Sequence, residues 1–423
     1  MDSFSEKISL VFRDSNLRKR VIFVLGALLA FRFLANIPIP GIDTVRLASL
    51  LEGNQLLGLF NIFSGGGLSN LSIVMLGVGP YITASIIMQL LTVMSPKLKA
   101  MYQEEGQAGR KKFSQYSRWL TIPLAVIQAL SFIVLLTRQG VMEPLGAFGF
   151  VSNVIIVTAG SLLLMWIGEL MTEFGIGNGT SMIIFAGIVA GLPATIARLR
   201  AGFDPSQIPL LLGFAILAAI IIYAVVVVTE AERPIPVTYA KRVRGMKVYG
   251  GVSTYLPLRL NQAGVMPIIF ALSILLFPQM IFTFLSNLQN EFIKSASTFF
   301  NGLLANQWVY AAMYFVLVFL FTYFYTAVTF DPNTIADNLQ KSGAFIPGVR
   351  PGQSTSQHVL KILSRITMVG ALFLGIIAVL PIAVQALTNI SYLTIGGTAL
   401  LIAVSVVLDL VKKVDAQVSM REY

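Results

Sequence analysis

The chain has 423 residues, of which 56% are hydrophobic and only 12% charged, with a mean hydropathy of +0.80. Ordinary soluble domains carry about 25% charged residues, so the composition excludes a soluble globular protein and reads as a polytopic membrane protein. Cysteine is absent, which excludes disulfides, thiol redox chemistry and cysteine-metal sites, and His358, the only histidine, reads as a solvated loop residue rather than a metal ligand or catalytic base.

Ten apolar stretches have the length and flanking charge of membrane spans. They lie near 21–37, 71–93, 119–137, 151–172, 181–199, 208–228, 264–286, 309–329, 362–387 and 395–411. The first follows the basic lead Leu17-Arg18-Lys19-Arg20; it is too long for a signal-peptide core and lacks a small-residue cleavage site, so it is expected to stay as an anchor. An even number of spans puts both termini on one side. The net charge of +11 then sorts clearly: of the 30 Lys and Arg, roughly 24 fall beside the termini and alternate loops, roughly five on the other side, and one, Arg32, inside span 1. That asymmetry assigns the termini and the loops 94–118, 229–263 and 330–361 to the cytoplasm.

After span 1, Pro38-Ile39-Pro40-Gly41-Ile42-Asp43 reads as a rigid outward turn feeding an amphipathic piece, Thr44 to Asn54. The next stretch, Leu57 to Val93, is apolar enough to enter a bilayer yet broken. Phe60 to Phe63 could start a short helix that Ser64-Gly65-Gly66-Gly67 interrupts, and from Leu71 an apolar run resumes with Gly77, Gly79 and Pro80 inside it. A broken segment leaves peptide groups that hydrocarbon cannot satisfy, so it is tolerated only when buried in protein or facing a water-filled cavity. It is therefore either a re-entrant packing element or a half-helix that lines or stops a pore.

The loop 94–118 mixes both charges and ends in Arg110-Lys111-Lys112, which suits solvation and attraction to anionic head groups. Span 4 closes with Glu169 and Glu173 near its cytoplasmic end, and the tight turn Gly175-Ile176-Gly177-Asn178-Gly179 joins it to span 5 as a helical hairpin. Two cytoplasmic loops are unusually long. Residues 229–263 carry Arg233, Lys241, Arg242, Arg244, Lys247 and Arg259 with Tyr239, Tyr249 and Tyr255 between them, and Val237 to Val248 is expected to pair with the later stretch as a projecting hairpin. Residues 330–361 end in a Pro- and Gly-stiffened tip bearing Arg350. Basic and aromatic residues together suit docking of something large and anionic, such as ribosomal RNA; topology and lipid contact are the plainer reading.

Apart from Arg32, Glu169 and Asp409, the spans hold essentially no ionisable groups, whereas ion-coupled transporters keep such groups near mid-depth. No HExxH, GxSxG or GxxxxGK[ST] sequence is present, so nothing points to an intramembrane protease or an ATPase, and the chain is not expected to be an enzyme or to need a cofactor.

Four strings in collinear order resemble the SecY family of protein-conducting channels: FNIFSGGGLSNLSIVMLGVGPYITASIIMQLL, GIGNGTSMIIFAGIVAGLP, YAKRVRGMKVYGGVSTYLPLRLNQAGVMPIIFA and ADNLQKSGAFIPGVRPG. The resemblance runs from the basic lead to span 10. It implies an all-α fold in which ten transmembrane helices form two pseudo-symmetric inverted halves, 1–200 and 201–423, around an hourglass channel. It implies a plug formed by Phe60, Asn61, Ile62, Phe63, Ser64, Gly65, Gly66, Gly67 and Leu68, and a ring that includes Ile82, Ile184, Ile269 and Ile402, with Thr180 where similar proteins often place another isoleucine. Apolar β-branched side chains at a constriction gate by dewetting and offer a passing chain no fixed partner. Taken singly, each isoleucine would be ordinary helix packing. The resemblance further implies a lateral gate between spans 2 and 7, with Thr83 and Ile87 facing Phe277, and Gln89 and Asn261 near its cytoplasmic end. A signal sequence, with only about 7–15 apolar residues, would wedge there. Lys241, Arg242, Arg244 and Arg350 match positions that in the family meet the ribosome or the SecA motor; SecE and an optional SecG are the implied subunits, in a bacterial plasma membrane, with preproteins as cargo. The competing reading is a secondary transporter with a discontinuous helix at 57–80. A lipid-facing scaffold that only assembles partners would need no glycine hinge.

Overall fold

The structure is a computed structural model that describes residues 14–40, 61, 64, 66–68, 70–103, 105–142, 146–201, 208–239, 242–244, 247–249, 253–285, 295, 298–300, 302–304, 306–388 and 391–419. Among the described residues, ten helices of 16 residues or more lie on the ten expected stretches. In chain order the helices are α1 (Ser15–Leu34), α2 (Gly79–Met94), the short α3 (Pro96–Gln103), α4 (Gly106–Arg138), α5 (Ala147–Phe174), α6 (Gly179–Ala201), α7 (Ile208–Glu230), α8 (Met266–Leu285), α9 (Gln307–Thr329), the short α10 (Pro332–Lys341), α11 (Gln353–Thr388) and α12 (Ser391–Ser419). Four stretches are long and apolar enough to cross a bilayer by themselves: Gly106–Arg138, Ala147–Phe174, Gln307–Lys341 and Gln353–Val384. Gly79–Met94, Gly179–Pro193, Ala215–Glu230 and Met266–Leu275 are shorter apolar helices.

Span 2 departs from expectation. The apolar run from Leu71 is not helical until Gly79; residues 71–78 form successive turns. Leu71 and Gly77 take positive φ angles of +40° and +59°, which no helix accommodates, and Pro80 stands in the first turn of α2, where its missing N–H costs nothing.

The chain divides into two compact units. The first comprises 1–216, 272–310 and 381–423. In it α4 packs against α2, α3 and α5, α5 against α1 and α6, and α6 against α12. Its core gathers Leu68, Leu71, Met75 and Leu76 of the broken segment with Ala129, Phe132, Ile133 and Leu136 of α4 and Val154 and Val157 of α5. The segment is thus part of the core and not an appendage.

The second unit comprises 217–271 and 311–380. It carries a three-stranded antiparallel sheet in which β1 (Glu232–Tyr239) is central. Before the second long strand the chain forms a separate two-stranded hairpin from β2 (Arg242–Arg244) and β3 (Lys247–Tyr249). β4 (Ser253–Arg259) pairs with β1 from Glu232↔Arg259 to Thr238↔Ser253, and β5 (Ala344–Phe345) pairs with its far end at Thr238↔Phe345. The expected pairing of Val237–Val248 is corrected: the long ladder begins five residues earlier, at Glu232, and the basic tip closes on itself. Alternation explains the register. Ile235 and Val237 point into a cluster with Leu258, Ala344, Ile346, Val359 and Ile366, while Pro234 and Pro236, two apart, put both missing donors on one edge of the strand.

Candidate functional site

The broken segment is built of turns that satisfy their own backbone. Gly66 takes a left-handed φ of +81°, and its N–H donates to Asn61 O at 2.9 Å. The buried Ser64 hydroxyl donates to the same carbonyl at 2.9 Å and accepts from Leu68 N–H at 3.1 Å. Ser72 donates its N–H and its hydroxyl to Gly67 O, at 3.0 and 3.1 Å. Polar backbone that hydrocarbon would leave unpaired is therefore bonded in place.

From residue 70 onward, partners from elsewhere in the chain join these local turns. Ile39 N–H donates to Leu71 O at 2.9 Å and Ile73 N–H to Ile37 O at 3.0 Å, around an isolated bridge between Pro38 and Ser72. Asn70 Nδ2 donates to Asn36 Oδ1 at 3.1 Å, and Ser161 Oγ, on α5, donates to Gly77 O at 2.9 Å. A Cβ on Gly160 would overlap Ile73 O, so only glycine lets α5 come this close.

The expected stopper sits among helices. Leu68 and Ser64 are buried, Asn61 and Gly66 half-buried. A Cβ on Gly66 would lie 3.7 Å from Arg32 Nη1 and 3.8 Å from Gly187 O, so the turn meets α1 and also meets α6 three residues beyond Ile184. Phe60, Ile62, Phe63 and Gly65 lie outside the described residues.

Of the expected ring, Ile82 on α2, Ile184 on α6, Ile269 on α8 and Ile402 on α12 are each buried. The first unit holds Ile82, Ile184 and Ile402, and in it α6 and α12 pack together; Ile269 belongs to the second. Thr180 stands one turn before Ile184 and is half-buried. Its hydroxyl donates to Asn178 Oδ1 at 2.6 Å, which also accepts from Thr180 N–H at 3.1 Å and Ser181 N–H at 3.3 Å. Asn178 thereby caps α6. This function of Thr180 was legible in Asn-Gly-Thr-Ser, a helix-start pattern, and passed over in favour of its place in the ring.

Of the expected gate, Thr83 is buried and its hydroxyl donates to Gly79 O at 3.0 Å, while Ile87 and Gln89 are half-buried. Asn261 is buried just before α8; its Nδ2 donates to Gly264 O at 3.2 Å, and its Oδ1 has no hydrogen-bond partner among the described residues. Phe277 falls on α8, with its side chain outside the described residues. Of the expected docking residues, Lys241 lies outside them, Arg242 and Arg244 are on β2 with side chains likewise outside, and Arg350 is exposed.

Two features escaped the sequence reading. Arg118 Nε meets Glu169 Oε1 at 2.8 Å, with Ser114 Oγ at 3.4 Å from the same oxygen, tying α4 to α5. The span 4–span 5 turn is also a seam: Ile176 packs with Leu17 and Val21 of α1 and Val414 of α12, and a Cβ on Gly175 would lie 2.6 Å from Val24 Cγ2. Apolar residues in a turn were the signal for the seam; for the ion pair there was none. Among the described residues no cluster of His, Asp or Glu could hold a metal ion.

A family model described as SecY matches residues 72–411. The protein translocase subunit SecY of Escherichia coli (strain K12) is 44% identical over 417 residues, covering 96% of this chain and 93% of that protein. The protein of the same name from Mycobacterium tuberculosis (strain ATCC 25618 / H37Rv) is 41% identical over 446 residues, covering 97% of each. Among solved structures, a protein-conducting channel matches with a TM-score of 0.63 at 17% identity over 94% of this chain and 91% of that one. The Sec61 of the canine ribosome-channel complex from the endoplasmic reticulum matches with a TM-score of 0.60 at 18% identity, over the same shares. At that identity these two likenesses speak to the fold alone.

Proposed function

Because the chain belongs to the SecY family, we propose that it is a protein-conducting channel that passes unfolded secretory preproteins across a membrane and releases membrane segments sideways through a gate between spans 2 and 7. The energetic reason for such a device is general: an extended backbone crossing lipid would leave each peptide group unpaired at several kcal/mol. One observation carries the reading. The described residues of the fragment, 61, 64 and 66–68, are buried or half-buried, and Gly66 lies beside Arg32 and beside α6 at Gly187, three residues from Ile184.

On this reading, ten spans form two inverted halves, 1–200 and 201–423. Residues 60–68 stop the pore from the outer side, and Ile82, Thr180, Ile184, Ile269 and Ile402 form its waist. Thr83, Ile87, Gln89, Asn261 and Phe277 line the gate. Dewetting at the waist seals against ions, and the stiff χ1 of isoleucine keeps the ring from collapsing across it. The basic loops, with Lys241, Arg242, Arg244 and Arg350, dock the ribosome or the SecA motor on the cytoplasmic face of a bacterial plasma membrane, and SecE, with SecG as an optional third subunit, completes the assembly. The channel itself makes no covalent change in its cargo.

Reconstituted into vesicles with its subunits, the protein should move a secretory preprotein when SecA and ATP are supplied and should show no coupled uptake of small solutes. The reverse pattern would overturn the proposal. The chain has no native cysteine, so Thr83→Cys with Phe277→Cys should cross-link on oxidation and block transport reversibly. Absence of that disulfide, with each single variant active, would count against the gate.

A further inference from the structure

We propose that Arg32 is the seat of the closed plug, a positioning residue whose guanidinium holds residues 61–68 in place and whose loss lets them leave. The inference rests on the channel reading. A cation inside a membrane helix is costly and calls for a reason, and neither the ring nor the gate uses this one.

Arg32 lies in the last turn of α1, a favourable end of the helix dipole for a cation. That placement lowers the cost without requiring a charge there at all. Among the described residues, the ion pairs of Arg118 with Glu169 and of Lys413 with Asp409 lie elsewhere. What it does meet is specific. Its Nη1 stands 3.7 Å from the point a Cβ on Gly66 would occupy, and Gly187 O stands 3.8 Å from the same point. Three elements converge there: span 1 through its one internal charge, the turn of the stopper, and span 5 near the ring.

Gly66 suits this place because its left-handed φ of +81° closes the turn whose N–H bonds to Asn61 O. The guanidinium, a planar cation with five donors, lies beside this backbone, whose carbonyl dipoles can attract it without a dedicated counter-ion. When the fragment leaves, that attraction goes with it, so the charge favours the closed arrangement.

The test uses Ser64→Cys as the single thiol in an otherwise cysteine-free chain, reconstituted with its subunits. The rate of modification by a small water-soluble thiol reagent reports exposure of the fragment, and conductance in planar bilayers reports the seal. Arg32→Gln should raise both by about tenfold. Arg32→Lys keeps the charge that insertion and topology read but lacks the planar fork, and should raise both two- to threefold. Should the Gln variant fail to insert, the Lys variant decides. Wild-type labelling and conductance in Arg32→Lys, and in Arg32→Gln where it inserts, would overturn the seat. SecA-driven transport of a preprotein by the protein with its native Ser64, measured in parallel vesicles, separates the two failures: if it is absent, the channel reading falls; if it is present while labelling does not change, only the role of Arg32 falls.

Discussion

Replacing Gly160 by alanine tests how the broken segment is held. A Cβ at this position would overlap Ile73 O and stand 2.8 Å from the carbonyl carbon of Ile73, with Val74 N at 3.3 Å. Contacts that short are not sustained, and the obstructing atoms are backbone, not the end of a pliable side chain. That backbone is tied by Ile73 N–H to Ile37 O at 3.0 Å and, four residues on, by Gly77 O to Ser161 Oγ at 2.9 Å. Overpacking costs about 1–3 kcal/mol. Breaking one of those buried bonds adds about 1 kcal/mol, or up to about 3 if its partner stays buried and unpaired. The expected destabilisation is therefore about 2–6 kcal/mol. Gly26 on α1 supplies the control, because a Cβ there meets nothing within 4 Å; Gly26→Ala should be neutral or stabilising by up to about 1 kcal/mol. Thermal unfolding in nanodiscs, followed by tryptophan fluorescence, should show a midpoint lower by about 2–7 °C for Gly160→Ala only. Resting conductance in planar bilayers should rise in the same variant. Midpoints for the two variants within about 1 °C of each other would refute the claim that this close approach secures the segment.

Thr180→Ile should lower the resting conductance by adding an apolar branched side chain to the waist, while losing only the hydroxyl bond to Asn178 Oδ1, about 1 kcal/mol, since the backbone N–H bonds that cap α6 remain; an unchanged conductance would mean that residues 60–68 alone make the seal. Arg118→Met should cost about 1–3 kcal/mol in thermal unfolding, since it leaves the Glu169 carboxylate, 15% exposed, without its guanidinium. A loss below about 0.5 kcal/mol would contradict the account of the pair as a link between α4 and α5.

The helices were legible because an apolar run of roughly 20 residues has one stable backbone in hydrocarbon. The turns at 71–78 were not, because hydropathy is blind to conformation: Leu71, Val74, Met75 and Leu76 are buried as they would be in a helix. What converts the run to turns is a set of partners distant in sequence, Ile37, Ile39 and Ser161, together with a glycine on α5. Glycines and a proline marked the break but could not say what would receive the freed backbone. The same limit applies to Arg118 and Glu169, 51 residues apart with no spacing to announce them. The sheet was half legible. Its long ladder needs Ile235 and Val237 inward, a period of two that the prolines between them disguise.

Fixed and movable parts of the segment differ in where their bonds end. Residues 70–78 are tied to α5 and to the chain after α1, so displacing them would break bonds to other elements. Among the described residues of 61–68, by contrast, the N–H groups of Gly66, Gly67 and Leu68 and the Ser64 hydroxyl bond to Asn61 and Ser64 and would travel with the fragment. Unseating it on the proposed reading therefore loses chiefly the burial of Leu68, about 1.5–3 kcal/mol, the bonds from Ser72 N–H and Oγ to Gly67 O and from Leu71 N–H to Leu68 O, about 1 kcal/mol each, and the contact with Arg32. A stopper held by that sum of small terms stays closed at rest. A signal sequence that prefers the open arrangement by about 5.5 kcal/mol could invert a 1:99 population, and burying a short apolar run of about 7 residues supplies more than that. A fragment anchored like residues 70–78 would need far more. The division of bonds at residues 68–70 thus makes this piece, and not the turns after it, the one that a modest ligand could move.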